Sequence, residues 1–388
     1  MNNFSYYIPT KINLGKGQVE KLASMAEAGK RVLMVYGGGS IKANHIYDDV
    51  VSVLKQAGLE FFDLNGVTNN PRIETVRKGV EICRREEIDM VLAIGGGSVI
   101  DSAKLVAAGA CYDGDPWDLV LDYQKIHSVL PVYVVSTIAA TGSEMSAWAV
   151  ISDMGKKEKR STGGDLIRPK MAILDPEYTY SAPMKYVAAG IADITSHIFE
   201  NYFTNVTGTN IQENLCEALL RTVVECGPVA MRKADDYDAR ANLMWCSCLA
   251  MNGLLEYGAE TPWGVHGMEH ELSAYYDIVH GEGLAILTPV WMRYAVERNP
   301  RHISKFARYG RNVWEIRDED DSMAAQMAIQ KTEEFYFDTL KLPRNLRAVG
   351  IADGRLFHEM AVNCSPRFET AFLSISVEEI EEMFRRAL

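Results

Sequence analysis

The chain has 388 residues, of which 47% are hydrophobic and 24% are charged, and this composition is that of an ordinary globular protein long enough for two domains. Its formal net charge of −12 comes without a basic stripe, which argues against a nucleic-acid partner. There is no membrane-length apolar run and no signal-like start, and the seven cysteines lack the spacing of a disulfide or zinc framework. We therefore expect a cytoplasmic protein with no membrane partner.

The first half of the chain alternates strand-like and helix-like segments. Compact apolar runs predict strands at 31–36, 59–64, 89–94, 132–137, 146–153 and 171–174. Amphipathic patterns predict helices at 44–57, 73–87 and 98–110, with Ser98 able to cap the last of them. Continuous apolar strands separated by helices predict a parallel α/β sheet that is covered on both faces.

Two identical Gly-Gly-Gly-Ser tetrapeptides follow the strands predicted at 31–36 and 89–94. Ligands in such sheets bind where strands end and helices begin, and glycines there let the backbone approach a phosphate. One such cluster would more often be an ordinary turn, whereas two favour a dinucleotide site, although neither matches GxGxxG. The residues are Gly37, Gly38, Gly39 and Ser40, and Gly95, Gly96, Gly97 and Ser98.

The first of these loops also bears on the choice of cofactor. NAD sites commonly place an acid at a strand end to bind the ribose 2′-hydroxyl, but residues 37–40 contain none and Lys42 follows closely. Backbone amides, a hydroxyl and an ammonium group suit a 2′-phosphate and favour NADP(H). The alternative is an ordinary turn followed by a solvated lysine.

From about residue 182 the pattern becomes helical. Amphipathic segments predict helices at 186–202, 210–232, 239–257, 283–296, 323–339 and 377–387. We therefore expect an α/β domain over residues 1–182 and a helical domain over 183–388.

Potential metal ligands are concentrated in this second half. Asp193 and His197 are four residues apart, His266 and His270 share that spacing, and His280 lies where a helix starts or breaks. Any one of these histidines is more often structural than a ligand. Together they predict a site for a divalent transition metal such as Fe or Zn.

Four segments carry a resemblance to a known family: GGGSVIDSAK (95–104), ATGSE (140–144), GIADITSHIFE (190–200) and HGMEHELSAYYDIVHGEGLA (266–285). They resemble the iron-containing alcohol dehydrogenases, and the similarity runs over nearly the whole chain from PTKINLGKG (9–17) onward. The loop at 37–40 resembles the NADPH-dependent butanol dehydrogenase and aldehyde reductase branch. The resemblance implies a Rossmann-like nucleotide-binding domain, a helical metal-binding domain with the dehydroquinate synthase-like architecture, a cleft site between them, and a homodimer.

The resemblance also implies roles for individual residues. The metal ligands would be Asp193, His197, His266 and His280. His270 and Asp101 would stand near the nicotinamide as catalytic residues. The cofactor would be bound by Gly96, Gly97 and Ser98 at its pyrophosphate, with Thr137, Thr141, Ser143 and Lys159 along its length.

The implied activity is NADP(H)-dependent interconversion of aliphatic aldehydes and primary alcohols, with Fe(II) favoured and Zn possible as the ion that polarises the carbonyl. One alternative is a zinc-dependent, glycerol-type polyol dehydrogenase on the same fold. A dehydroquinate synthase would be expected to surround the metal with lysines and arginines, whereas small and apolar residues flank these ligands. A non-catalytic metal- or nucleotide-binding protein is the last alternative.

Overall fold

The computed structural model describes residues 1–388, which divide into two compact units. The α/β unit comprises Tyr7–Pro183 and Ala234–Gly253, and the helical unit comprises Met1–Tyr6, Met184–Lys233 and Leu254–Leu388. The change from one unit to the other at residue 183 lies where the sequence pattern changes. The segment Ala234–Gly253 comes later in the sequence and yet packs within the α/β unit.

A parallel sheet of six strands forms the centre of the α/β unit, in the order β1-β8-β5-β4-β2-β3. Its strands are β1 (Lys11–Leu14), β2 (Arg31–Tyr36), β3 (Glu60–Leu64), β4 (Met90–Gly95), β5 (Val132–Ser136) and β8 (Met171–Leu174). The remaining two, β6 (Trp148–Asp153) and β7 (Glu158–Gly163), form a separate antiparallel hairpin. The parallel sheet predicted from the apolar runs is confirmed, while the segment 146–153, also predicted as a strand, forms β6 of the hairpin and lies outside that sheet.

Both faces of the central strands are buried, which explains why β2, β4, β5 and β8 are almost continuously apolar rather than alternating, unlike the edge strands β1 and β3. Leu33 and Val35 belong to one core, whereas Val32 and Met34 on the same strand belong to the other. Successive side chains of a strand point to opposite faces, so a strand between two helical layers needs apolar residues at every position.

The helices of the α/β unit are α1 (Ser40–Ala43), α2 (Ile46–Gln56), α3 (Ile73–Arg85), α4 (Gly97–Ala110), α5 (Pro116–Leu121) and α8 (Tyr237–Met251). Those of the helical unit are α6 (Met184–Tyr202), α7 (Asn210–Arg232), α9 (Gly264–Tyr276), α10 (His280–Arg298), α11 (Ile303–Trp314), α12 (Asp321–Glu333), α13 (Phe357–Cys364) and α14 (Val377–Arg386). None of these helices combines the length and apolar character needed to cross a membrane.

Several helix boundaries differ from the predictions for local reasons. The capping role predicted for Ser98 is wrong, because Gly96 occupies the N-cap of α4. The predicted helix 239–257 ends at Met251, and Gly253 follows with a φ of 100°. The segment 323–339 is α-helical only to Glu333, after which Glu334–Thr339 forms a π-helix.

Candidate active site

Helix α6 supplies the first two side chains of the predicted metal site. Asp193 and His197 are one turn apart on this almost wholly buried helix, so they share a face. Asp193 Oδ1 lies 3.4 Å from His197 Nε2, and both side chains are buried. The i, i+4 spacing in the sequence therefore places a carboxylate and an imidazole together.

Helices α9 and α10 bring two further imidazoles to the same carboxylate oxygen. His266 lies in the first turn of α9, with its Nε2 4.0 Å from Asp193 Oδ1. His280 begins α10, with its Nε2 3.6 Å from the same atom. The next residue, Gly281, permits this approach, because a Cβ there would overlap the backbone oxygen of Ala189 on α6.

This arrangement fits a divalent metal. Ligands bonded at about 2.1 Å to a tetrahedral ion are about 3.4 Å apart, close to the distances from Asp193 Oδ1 to the three imidazoles. The buried Nε2 of His266 makes no hydrogen bond. Burial, followed by the neighbouring His266 and His280, lowers the pKa of His197 well below its usual value, and a neutral imidazole is the form that binds metal.

Asp193, His266 and His280 thus form a metal site. His197 lies beside it, with its ring stacked on that of His266 at a centroid distance of 4.8 Å. The ligand role of His197 stays a prediction that this position supports.

His270 lies next to the same centre. It is one turn beyond His266 on α9, and its ring centroid is 5.6 Å from that of His280 and 6.4 Å from that of His266. This position is compatible with the predicted catalytic role and with the prediction that His270 is a neighbour of the metal rather than a ligand.

Two carboxylates that the sequence interpretation did not single out complete the surroundings of the metal site. Glu200 contacts the Nδ1 atom of His266, and Glu269 contacts the Nδ1 atom of His280. Helical spacing from a predicted metal ligand could have identified both glutamates from the sequence. Glu200 is one turn beyond His197, and Glu269 is one turn beyond His266.

The two glycine-rich loops in the α/β unit flank one point of the sheet. Strands β2 and β4 are neighbours, and the chain runs outward from them in opposite directions, to β3 on one side and β5 on the other. Such a switch point opens a crevice at the carboxyl ends of the strands, where ligands of α/β sheets bind. The loop 37–40 follows β2 and the loop 96–98 follows β4.

The second loop packs closely against the segment 138–141, so it needs glycines at two positions. A Cβ at Gly96 would lie 2.7 Å from Ile138 Cγ2, and one at Gly97 would overlap Thr141. The 14-residue helix α4 begins at Gly97, so its first amides and the positive end of its dipole face this loop. These features fit a dinucleotide pyrophosphate. The predicted contacts of Gly96, Gly97 and Ser98 with the cofactor stay predictions.

The first loop, by contrast, is open. Gly39 has a φ of 111°, a conformation that favours glycine, whereas a Cβ at Gly38 would meet nothing within 4 Å. Lys42 lies over the rings of Tyr36 and Tyr47, with its ammonium 5.1 Å and 4.5 Å from the two centroids.

Asp101 and Ser143, both predicted near the cofactor, belong to a buried hydrogen-bond network. Ser143 Oγ donates to Asp101 Oδ1 at 2.5 Å, and the amide of Val150 donates to Asp101 Oδ2 at 2.9 Å. The fully buried Lys104 donates from its Nζ to Ser143 Oγ at 2.9 Å and to the carbonyl of Trp148 at 2.7 Å. These contacts give Asp101 a structural role, holding the 143–150 segment against α4, whereas its catalytic role stays a prediction.

Burial acts on both charged groups of this network. It raises the pKa of the Asp101 carboxyl above its usual value, against the opposing effect of Lys104. It lowers the pKa of Lys104 to about 8, against the opposing effects of Asp101 and Glu144. Lys104 was not singled out from the sequence, although it is one helical turn beyond Asp101.

The other residues predicted to bind the cofactor also lie in the α/β unit. Thr141 accepts from the amide of Ser143 at 3.1 Å, and Thr137 follows β5 with its amide bonded to the carbonyl of Gly95 at 3.2 Å. Lys159 is on β7, where its Nζ donates to Asn70 Oδ1 at 3.1 Å. Their contacts with a cofactor stay predictions.

One unit has glycine-rich loops at a sheet switch point and the other has a carboxylate–imidazole metal site, a combination typical of metal-dependent, nucleotide-binding enzymes. Comparison with known proteins gives the family. Residues 9–176 match the iron-containing alcohol dehydrogenase family, and residues 187–388 match the C-terminal domain of the Fe-containing alcohol dehydrogenase family. The chain belongs to the iron-containing alcohol dehydrogenases, an oxidoreductase family, which confirms the resemblance and the fold class inferred from the sequence.

Individual relatives agree with this assignment. The chain is 50% identical to the NADH-dependent butanol dehydrogenase A of Clostridium acetobutylicum over 100% of both chains. It is 37% identical to the NADPH-dependent aldehyde reductase YqhD of Escherichia coli over 90% of both. Among solved structures, an NADH-dependent butanol dehydrogenase A from Thermotoga maritima superposes with a TM-score of 0.93 at 36% identity, covering 100% of this chain and 99% of that one.

Proposed function

We propose that this protein catalyses the reversible reduction of short- and medium-chain aliphatic aldehydes to primary alcohols with a nicotinamide dinucleotide. The observation that carries the proposal is the convergence of three imidazoles on Asp193, in a chain whose other unit holds glycine-rich loops at a sheet switch point. Butanol dehydrogenase and aldehyde reductase relatives that align with most or all of the chain support the same substrate class.

The proposed site residues form two groups, one for the metal and one for the cofactor. When bound, a divalent metal polarises a carbonyl oxygen and a reduced nicotinamide supplies hydride. Asp193, His197, His266 and His280 would hold the metal, with Fe(II) favoured by the family description and zinc also compatible with the donor set. His270 would carry a proton beside the metal site. Gly96, Gly97 and Ser98 would bind the pyrophosphate.

We propose that NADPH is accepted as well as NADH. The loop at 37–40 has no carboxylate to repel a 2′-phosphate, and Gly38 leaves open space there. The names of the relatives point mainly to NADH, since the two butanol dehydrogenases of Clostridium acetobutylicum, 50% and 53% identical, are called NADH-dependent, whereas the Escherichia coli enzyme, 37% identical, is called NADPH-dependent. A preference for NADP(H) therefore stays a prediction from the sequence.

We also propose a cytoplasmic homodimer. The cysteines are all free thiols, as is usual for proteins of a reducing compartment. The basis for the homodimer is the family resemblance. Light scattering of the purified chain tests it by measuring the molar mass in solution.

The proposed activity is tested by spectrophotometric turnover with butyraldehyde, using NADPH and NADH separately on protein of measured metal content. Turnover should require metal and should vanish after chelation, and glycerol should be oxidised poorly. If metal-replete protein oxidises neither cofactor with any aldehyde of a chain-length panel, the proposal is wrong.

A further inference from the structure

We propose that Glu200 and Glu269 are positioning residues of the metal site, each fixing the orientation and tautomer of one metal-binding histidine through its Nδ1 atom. This inference deepens the proposed function and rests on the metal site described above. Neither carboxylate belongs to the group formed by Asp193, His266 and His280, so both would act through the histidines.

Glu200 acts on His266. Its Oε1 lies 3.2 Å from His266 Nδ1 and also accepts from the backbone amide of His266 at 2.9 Å. Its Oε2 accepts from the amide of Gly264 at 3.1 Å. Because this carboxylate can only accept hydrogen bonds, it favours the tautomer of His266 with the proton on Nδ1. The lone pair of His266 is then on Nε2, the buried atom without a hydrogen bond that faces Asp193.

Glu269 acts on His280 in the same way. It is fully buried, its Oε2 is in direct contact with His280 Nδ1, and its Oε1 accepts from Ser273 Oγ. The opposite nitrogen of His280, Nε2, lies 3.6 Å from Asp193 Oδ1. Gly283 makes room for this arrangement, because a Cβ there would lie 2.8 Å from Glu269 Cγ.

The two contacts share one geometry. In each, a carboxylate, partly buried in Glu200 and fully buried in Glu269, holds the far nitrogen of an imidazole whose near nitrogen points to Asp193. A carboxylate in that position fixes the ring and raises the basicity of the ligating nitrogen, and loss of such a partner typically weakens metal binding about 10- to 100-fold. Glu269, His270 and His280 also offer ligand atoms close together. A second ion there would have to displace the contact between Glu269 and His280 Nδ1.

A purely structural role is the competing explanation, since Glu200 also caps the first turn of α9. The glutamine variants E200Q and E269Q retain size and an acceptor while removing the charge, and E269L also removes the acceptor. The matched control is E217Q. Glu217 is also a buried glutamate of the same unit, but its partners are Tyr202, Arg308 and Asn312 rather than a metal-site histidine.

The measurement is the dissociation constant for Zn²⁺, obtained on the full chain by competition with a chromophoric chelator, together with the visible spectrum of the Co²⁺-loaded chain. We expect affinity to fall about 10- to 100-fold in E200Q and E269Q and further in E269L, with altered Co²⁺ bands. E217Q should change thermal stability while leaving both metal readouts unchanged.

The outcomes separate the two proposals. Zn²⁺ affinity within twofold of the wild type and an unchanged Co²⁺ spectrum in E200Q and E269Q would overturn the positioning role. The proposed function would stand in that case. A fall in Zn²⁺ affinity of equal size in E217Q would also overturn the positioning role, because loss of stability alone would then explain the effect. A wild-type chain that binds metal tightly but reduces no aldehyde would instead refute the proposed function and leave this inference intact.

Discussion

The metal site of the helical unit and the Asp101 network of the α/β unit both bury carboxylates, but they balance the negative charge differently. In the α/β unit, Lys104 supplies an internal cation to Asp101 and Glu144. In the helical unit, Asp193, Glu200 and Glu269 face the imidazoles of the metal site. A buried carboxylate is costly unless it is paired, so the helical site is suited to receive its positive charge as a bound ion.

The two regions also use different chemical groups to bind. The predicted phosphate cradle relies on backbone amides, so the decisive property of Gly96 and Gly97 is the side chain they lack. The metal site relies on side chains of α6, α9 and α10, so its decisive property is how closely those helices approach. Substitutions should therefore affect the two sites by different mechanisms.

The largest effect is expected for H266A. Removal of this imidazole leaves the metal site without one of its ligand atoms, and we expect activity to fall at least about 1,000-fold, or about 4 kcal/mol in transition-state stabilisation. Elemental analysis should show loss of metal, while NADPH binding measured by fluorescence should persist. The control is H302A, which removes a buried histidine that contacts the carbonyl of Ala295. A metal-replete, active H266A would refute the ligand assignment.

K104M should destabilise the α/β unit without affecting metal content. The substitution keeps the length of the side chain but leaves Asp101 buried without its cation, which typically costs about 3–5 kcal/mol. Urea denaturation measures the change, with K331M, at an exposed pair with Glu334, as the control. A loss below about 1 kcal/mol would show that Asp101 is already protonated.

Metal removal should destabilise the folded chain through the helical unit, whereas K104M acts through the α/β unit. A ligand that binds only the folded state at 100 times its dissociation constant stabilises by about 2.7 kcal/mol, so chelation should lower the melting temperature and added metal should restore it. The deficit of K104M, by contrast, should persist when metal is added. Equal melting temperatures for the apo and metal-loaded chains would contradict the ion-dependent balance of charge inferred for the helical site.

The smallest effect is expected for G38D, which places a carboxylate in the open first loop. The site accepts a side chain without steric conflict, and the charge should move preference from NADPH toward NADH by about tenfold, or about 1.4 kcal/mol. The ratio of kcat/KM values for the two cofactors measures it, and G38A is the neutral control. An unchanged ratio would place the 2′-phosphate elsewhere.

Several features could be predicted because they depend on short-range patterns. Continuous apolar runs such as residues 32–36 of β2 indicated a sheet covered on both faces, and the i, i+4 spacing of Asp193 and His197 placed both on one helix face. The strand that became β6 was predicted, but its hairpin partner β7 and the helix α9 were missed. Polar β7 lacks an apolar alternation, and α9 is buried on nearly all sides and so has little amphipathic pattern.

By itself the sequence determined the family, the sheet, the glycine-rich loops and the residue types of the metal site, because each depends on local periodicity or on a contiguous motif. Only the tertiary structure decided which partners those residues have. Lys104 meets Ser143 across 39 positions, and Glu200 meets His266 across 66. Sequence patterns do not encode such distances, because close packing of separate helices and strands sets which buried polar groups meet and share a proton or a charge.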